Sequence, residues 1–477
     1  MPKFSYIKRF LSGPVGYELF KSSVAVYKVL KGVADGKVYT GPFRAEIYPT
    51  FHCNLGCIAC WTYSPLCTRP WPPKDSHLPT KIFLQVINDL ADMGTQSVTL
   101  VGGGEPFLHP DIFEAIALIK KRQMKCVVNS ALHVLGPKSI EKLSDLSVDL
   151  LICSTWAGDA DTYIKTHPTV SDKTFDKVRR NLIAIKDYKE KKGLVAPRVT
   201  LHNVICNLNY RNIAKMLDFG FEVGANEIRF TPIDIVPGQT DCLLLSSSQQ
   251  EELITILKEN KIGDGSSNTI WRGNRKLHIS GADIFVGRIK SRKGISVDHE
   301  NIKAIPCTIG WSFMIIHPNG EVIPCCKGGH HPLGNVLRHS IKDIWQSCHY
   351  VNFRVKARDA DKNDDYFLNI KCFQFCDNLI DLLAFNTPTM KMFLGWFQAA
   401  SHNPVVRFIV ETVDRILKLK ALPLKSLTDY SALPLTFNSL EEREAIWPLA
   451  ELQSCGSFRD TSGQRRAKES HDKFERR

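Results

Sequence analysis

The apolar positions of this chain change period in a regular order. At 44–51, "RAEIYPTF" alternates in steps of two, as a strand with one buried face does. At 81–94, "KIFLQVINDLADMG" repeats every three or four residues, an amphipathic helix that stops at Gly94. The alternation then recurs. Strands are predicted at 97–103 ("SVTLVGG"), 125–130 ("KCVVNS"), 149–155 ("DLLICST"), 198–206 ("RVTLHNVIC") and 227–233 ("EIRFTPI"). Helices are predicted between them at "DIFEAIALIKKRQ", "PKSIEKLSDLS", "KTFDKVRRNLIAIKDYKEKKG" and "NIAKMLDFGFEVG". Strands alternating with helices imply right-handed crossovers and an α/β fold with a parallel sheet. The six units fall short of the eight in a closed (β/α) barrel, which leaves a partial barrel or an open doubly wound sheet.

The flanks read differently. Residues 1–40 hold two basic amphipathic segments, "SYIKRFLSG" and "ELFKSSVAVYKVLKGVADGK", expected as helices packed on the main domain. Their charge also suits peripheral contact with an anionic membrane surface. Residues 241–300 read as a connector, with one helix ("SSSQQEELITILKEN") and then a stretch rich in Gly, Ser and Asn. Farther on, "WSFMIIHPNGEVIPC" is two β-runs around Pro318-Asn319-Gly320, a hairpin signal. After Cys376, "TMKMFLGWFQAA" and "PVVRFIVETVDRILKLKALPL" are helical in pattern, and the basic tail "GQRRAKESHDKFERR" has the composition of a disordered end. The domains expected are 1–40, a core at 41–240, the connector at 241–300, a small hairpin and helix domain at 301–380, and an extension at 381–477.

Hydrophobic residues make up 43% of the 477 positions and charged residues 23%, ordinary for a globular protein. No apolar run approaches the ~20 residues needed to span a bilayer, and no secretory leader pattern opens the chain. A reducing cytoplasm is therefore expected, and the fifteen cysteines read as metal ligands or buried thiols and not as disulfides. The net charge of +13 is compatible with RNA, a membrane surface or an acidic substrate. No appended RNA-binding module is recognisable, so nucleic acid is not an expected partner.

Chemistry concentrates in "TFHCNLGCIACW", which places Cys53, Cys57 and Cys60 in one loop after the first strand. A structural zinc site closes with four ligands, commonly in CxxC pairs, and no second pair lies nearby. A [4Fe-4S] cube takes four thiolates; three leave one iron open to a small molecule. This CxxxCxxC loop resembles the signature of the radical S-adenosylmethionine (SAM) superfamily. A second match is "GGGEPFLHPD", at the end of the second strand. The resemblance implies that Gly103, Gly104, Glu105 and Pro106 line the methionine of SAM. Glycines admit a close backbone approach, and a carboxylate accepts from an ammonium group. It further implies SAM contacts from Asn129 and Ser154 at strand ends, and from Lys165 where related enzymes carry an arginine. One position departs: the family usually has an aromatic residue just before the third cysteine, near adenine. Here Ala59 stands there, and Trp61 is the candidate replacement.

A second set is Cys307-x12-Gly320-x4-Cys325 with Cys372-x3-Cys376. The hairpin brings Cys307 towards Cys325; Cys326 is an alternative ligand, and a zinc ribbon fits the same spacing. The pattern resembles the SPASM/Twitch extension of radical SAM enzymes, in its shorter form with one auxiliary [4Fe-4S] cluster. Across about residues 44 to 380 the resemblance implies a partial (β/α)6 barrel of the TIM type with that extension. It implies a reductant such as flavodoxin or ferredoxin, reductive cleavage of SAM to a 5′-deoxyadenosyl radical, and hydrogen abstraction from a substrate. The auxiliary cluster would then assist a net oxidation of a small molecule, sugar or peptide. RNA modification and a non-catalytic iron–sulfur or zinc protein are the alternatives.

Overall fold

The computed structural model describes residues 23–68, 77–263, 268–291, 306–359, 364–369 and 402–416, with single positions Ile302, Cys372, Cys376, Asn378, Gly395 and Ala399. All belong to one compact unit, Met1–Leu433.

Six parallel strands form in the predicted order: β1 (Arg44–Ile47), β2 (Ser97–Leu100), β3 (Lys125–Ser130), β4 (Leu150–Ser154), β5 (Arg198–Ile205) and β6 (Glu227–Pro232). The helices are α1 (Ser23–Asp35), before the sheet, then α2 (Thr80–Asp92), α3 (Ile112–Lys121), α4 (Pro137–Asp145), α5 (Ala160–Thr166), α6 (Asp172–Lys192) and α7 (Ile213–Glu222). β1 and β2 are shorter than their apolar runs. Pro49 has no N–H for a ladder, and Gly102 to Gly104 form a loop in place of a strand end.

Strand parity sets what each face does. Cys126, Val128, Leu151 and Cys153 are fully buried under the helices, so these cysteines pack as small hydrophobes. The alternate positions Asn129, Ser154, His202, Val204 and Thr231 face a cavity on the other side of the sheet. Registers Ser154↔His202 and Val204↔Thr231 align them across strands.

The segment expected as a connector instead extends the sheet. A hairpin of β7 (Thr269–Arg272) and β8 (Arg275–Ser280) turns at Gly273, φ +58°, and β8 runs parallel to β6 with Ile228 opposite Ile279. Its alternation is diluted by polar and exposed residues, Trp271 among them, because β7 is an edge strand. Helix Ala282–Lys290 follows.

The hairpin predicted around Pro318-Asn319-Gly320 is β9 (Phe313–Ile316) and β10 (Glu321–Ile323), with Gly320 at φ +84°. It does not stand apart from the barrel. β9 lies parallel beside β1, with Ile47 opposite Ile316, and β10 carries the two-residue β11 (Gly334–Asn335). The result is one eleven-stranded sheet, β11-β10-β9-β1-β2-β3-β4-β5-β6-β8-β7, a partial barrel whose two ends do not pair.

The second N-terminal segment packs on the body as expected. α1 buries Val26, Val29, Leu30 and Val33, and Lys31 meets Asp414 at 3.0 Å on helix Pro404–Ile416. Trp311 Nε1 donates to the Lys37 carbonyl at 2.9 Å just beyond α1. The first N-terminal segment, "TMKMFLGWFQAA" apart from single positions, and the basic tail lie outside the described residues. Among those residues no helix is long and apolar enough to cross a membrane.

Candidate iron–sulfur and SAM site

The loop after β1 is held at its middle by two of its own backbone N–H groups. Gly56 N–H donates to Thr169 Oγ1 at 2.8 Å and Ile58 N–H to the Thr166 carbonyl at 2.8 Å, tying it to the α5–α6 connection. Within it, Leu55 N–H points at Cys53 Sγ (3.4 Å), and Thr62 and Tyr63 N–H point at Cys60 Sγ (3.4 and 3.3 Å). Amide donors aimed at sulfur stabilise thiolate and tune a cluster. Burial pushes the Cys53 thiol up to about 12, and raises Cys57 and Cys60 as well, with the neighbouring thiols adding to the effect on Cys57. These thiols therefore need a cationic group to become ligands at neutral pH. Three thiols on one loop, close enough to raise one another's pKa, match a cluster in which each thiolate takes its own iron. The donor set fits an iron–sulfur cluster.

All three cysteines line a cavity of about 410 Å³, together with Gly103, Gly104, Glu105, Pro106, Asn129 and Ser154. Gly104 packs against backbone: a Cβ there would meet Phe51 C and Thr50 O at 2.7 Å, and His52 O closer still. Glu105 N–H donates to that His52 carbonyl at 2.9 Å, joining the two sequence motifs directly. The Glu105 carboxylate is more committed than its motif suggests. It is buried, and it accepts from Ser130 Oγ (2.7 Å), Ala131 N–H (3.0 Å) and Phe107 N–H (3.2 Å). It ties the turn to the end of β3 while still lining the cavity. Ser154 Oγ donates to Asn129 Oδ1 at 3.2 Å, so these two act as a pair.

Lys165 is not brought to this site. α5 turns Thr162, Tyr163 and Thr166 inward, and helical phase leaves Lys165 exposed and absent from the cavity lining.

Several lining residues carried no sequence motif. Trp156 sits two residues past β4 in a left-handed conformation, φ +53°, that aromatic residues seldom adopt. It packs on the buried cluster of Ile58, Ala59, Cys206 and Leu243, which includes the loop position where the expected aromatic is missing. Trp61 turns instead to the rim: its Nε1 donates to the Asp234 carbonyl (2.9 Å) and Lys327 lies over its ring at 5.1 Å. Lys327 also pairs with Asp234 at 2.5 Å. His202, bonded to Thr231 Oγ1 at 3.0 Å, and His317, 5.0 Å from the Tyr48 ring, complete the lining; burial holds their pKa values down to about 3 and about 4. Both are therefore neutral at ordinary pH. The signal that could have found them is strand parity beyond Ser154, but parity needs the register.

The second cysteine set also converges. Cys307, Cys325, Cys326 and Cys376 pack on the core of Ile309, Phe313, Ile315 and Ile323. The Cys325 thiol, pushed up to about 12 chiefly by burial, is raised further by Cys372 and Cys307 beside it. Cys325 is in extended backbone, and the next residue, Cys326, lines the SAM-side cavity. Tyr48 and Ile323 belong to both the core and the cavity lining, so the two cysteine sets share a wall.

Comparison with known proteins agrees with this geometry. Residues 47–220 match the radical SAM superfamily, and residues 307–373 match the SPASM iron–sulfur cluster-binding domain. The chain is 21% identical over 326 residues to the tungsten-containing aldehyde ferredoxin oxidoreductase cofactor-modifying protein of Pyrococcus furiosus, covering 64% of this chain and 81% of that protein. It is 24% identical over 328 residues to the AdoMet-dependent heme synthase of Methanosarcina barkeri, covering 66% and 84%. Among solved structures, Streptococcus suis SuiB bound to S-adenosylmethionine superposes with a TM-score of 0.50 at 16% identity, over 72% of this chain and 74% of that one, which shows a shared fold. With the first match covering Cys53, Cys57 and Cys60 and the second covering Cys307, Cys325 and Cys372, the chain belongs to the radical SAM superfamily and is one of its SPASM-containing enzymes, which use a SAM-bound [4Fe-4S] cluster and auxiliary iron–sulfur.

Proposed function

We propose that Cys53, Cys57 and Cys60 hold the cluster that binds SAM, that Cys307, Cys325, Cys372 and Cys376 hold one auxiliary [4Fe-4S] cluster, and that the net reaction is an oxidation. The observation that carries this reading is the single cavity lined by the three thiols, the Gly103–Pro106 turn and the ends of β3 to β6. When bound, the cluster and SAM supply a 5′-deoxyadenosyl radical that removes a hydrogen atom from the substrate. The chain's part is to place the reactants. Gly103 and Gly104 let backbone reach the methionine portion, and Glu105 holds that turn rigid through three donors. The Asn129–Ser154 pair offers hydrogen bonds to the ribose, and the Trp156 ring takes the adenine-facing place that Ala59 leaves open.

Oxidation of an alcohol or amine also releases a proton and an electron. His202 and His317 line the cavity as neutral imidazoles that burial makes weak bases, so they can hydrogen-bond the substrate while the released proton passes to solvent. The wall of Tyr48, Ile323 and Cys326 supports electron passage towards the second cysteine set. The names of the two relatives, a cofactor-modifying protein and a heme synthase, favour a small-molecule substrate. Anaerobic reconstitution tests the reading: about eight irons per chain, with matching sulfide, are expected for two clusters. SAM with dithionite should then yield 5′-deoxyadenosine. Cys53→Ala should abolish it, whereas Cys372→Ala should lower iron by about half and leave SAM cleavage measurable. Equal loss of both in Cys372→Ala would refute the two-site assignment.

A further inference from the structure

The loop that carries Cys53 has two sides. Cys53 and Leu55 line the SAM-side cavity, while the residue between them, Asn54, is exposed and lines a separate groove of about 540 Å³. The other walls of that groove are His133 and Val134, after β3, and Lys173, Thr174, Lys177 and Arg180 on α6. The three cations are spaced i, i+4 and i+7, on one helix face. None of them forms an ion pair among the described residues. The acidic residues of the same helix turn, Asp172 and Asp176, do not line the groove. The groove is therefore uncompensated positive charge in a concave place, where potential is focused.

A bonded path joins it to the cysteine loop. His133 is 7% exposed, and its Nε2 meets Asn54 Oδ1 at 2.5 Å, while its buried Nδ1 has no partner. Asn54 is one peptide bond from Cys53. No lining residue of the groove is shared with the cavity, so a molecule in the groove is separated from the radical chemistry by the loop itself. A hydrogen atom cannot be taken across that wall, because abstraction needs contact. An electron can cross it.

We propose that this groove is the docking surface of an acidic electron-transfer protein, a flavodoxin or ferredoxin, which delivers through the Asn54–Cys53 side of the loop the electron that SAM cleavage consumes. The inference rests on the cluster assignment at Cys53, Cys57 and Cys60. The step is a one-electron transfer: the donor, flavodoxin hydroquinone going to semiquinone or a reduced ferredoxin cluster going to its oxidised form, loses one electron, the enzyme cluster gains it, and no proton or group moves between the partners. Complementary charge raises the encounter rate, and salt screens it.

The test compares the reconstituted enzyme with the triple variant K173E/K177E/R180E, and with K173Q/K177Q/R180Q as a milder change to the same exposed face. Affinity for flavodoxin is measured by calorimetry at low and high salt, and cluster bleaching is followed separately with flavodoxin hydroquinone and with dithionite. The charge-reversed variant should bind flavodoxin at least tenfold more weakly at low salt, with the difference closing at high salt. Its bleaching by flavodoxin should slow in parallel, and its bleaching by dithionite should match wild type. The glutamine variant should fall between. Wild-type affinity and rate in the charge-reversed protein would overturn the docking proposal. So would displacement of flavodoxin by a transfer RNA that binds the same groove more tightly. Failure of dithionite to bleach any of the proteins would instead refute the cluster assignment beneath it.

Discussion

Gly104→Ala probes the joint between the two sequence motifs. The new methyl would lie 2.7 Å from Phe51 C and Thr50 O, about 0.7 Å inside an ordinary 3.4 Å contact, with His52 O closer. All three are backbone atoms, so no rotamer change relieves the clash, and the turn must move off the Thr50–His52 segment. Overpacking of this kind costs ~1–3 kcal/mol. The same movement stretches the 2.9 Å bond from Glu105 N–H to His52 O, and a buried donor left without its acceptor costs a further ~1–3 kcal/mol. A loss of about 3 kcal/mol is expected, read as a lower urea midpoint at unchanged slope. Because His52 immediately precedes Cys53, iron retained after reconstitution and SAM affinity should fall with it. Gly287→Ala is the control. Gly287 is exposed in helix Ala282–Lys290 and its Cβ would meet nothing within 4 Å, so alanine should stabilise by about 0.5–1 kcal/mol. A Gly104→Ala protein within 0.5 kcal/mol of wild type, with normal iron and SAM binding, would refute the close-packed turn.

Three further outcomes are expected. Trp156→Ala should weaken SAM binding roughly tenfold in equilibrium dialysis, from lost ring contact of about 1.4 kcal/mol, while Trp156→Phe keeps most of it; equal losses in both would show that the ring is not what matters. Lys165→Ala should leave SAM affinity within about twofold of wild type, since its side chain is exposed on α5; a large loss would place the lysine in the site after all. Acid should destabilise the protein early. Burial holds His202 at about 3 and His167 and His317 at about 4, against about 6.5 in the unfolded chain. Between pH 6.5 and 4 the unfolded state therefore binds protons that the folded state does not. Stability is complete above about pH 6.5 and falls below it, by up to ~1.4 kcal/mol per pH unit for each histidine. A urea midpoint that stays flat from pH 7.5 to 5 would contradict this.

Much of the architecture was legible from period alone. The six β/α units, the hairpin at Gly320 and the loop of Cys53, Cys57 and Cys60 all depend on contacts close in sequence, where spacing reports geometry. β7 was not legible, because an exposed edge strand has no apolar alternation to show, and β8 offers only the short alternation of Leu277 and Ile279. Lys165 was misplaced because a position carried over from a family does not bring its helical phase with it. Glu105 was assigned to SAM alone because its donors, Ser130 and Ala131, lie a whole β/α unit away.

What the sequence by itself determined is the inventory: two cysteine sets, a glycine-rich turn, and the order of strands and helices. The tertiary structure decided the adjacency. Laying β9 beside β1 is a pairing across more than 250 residues, invisible to any local pattern. That pairing makes Tyr48, Ile323 and Cys326 a common wall between the two cysteine sets and directs Cys325 to one side of it. It is also the fold, through the left-handed turn at Trp156, that brings this aromatic residue onto the cluster containing Ala59. Local pattern depends on neighbours along the chain, whereas this cavity is built from strand ends that meet only when distant strands have paired into one sheet.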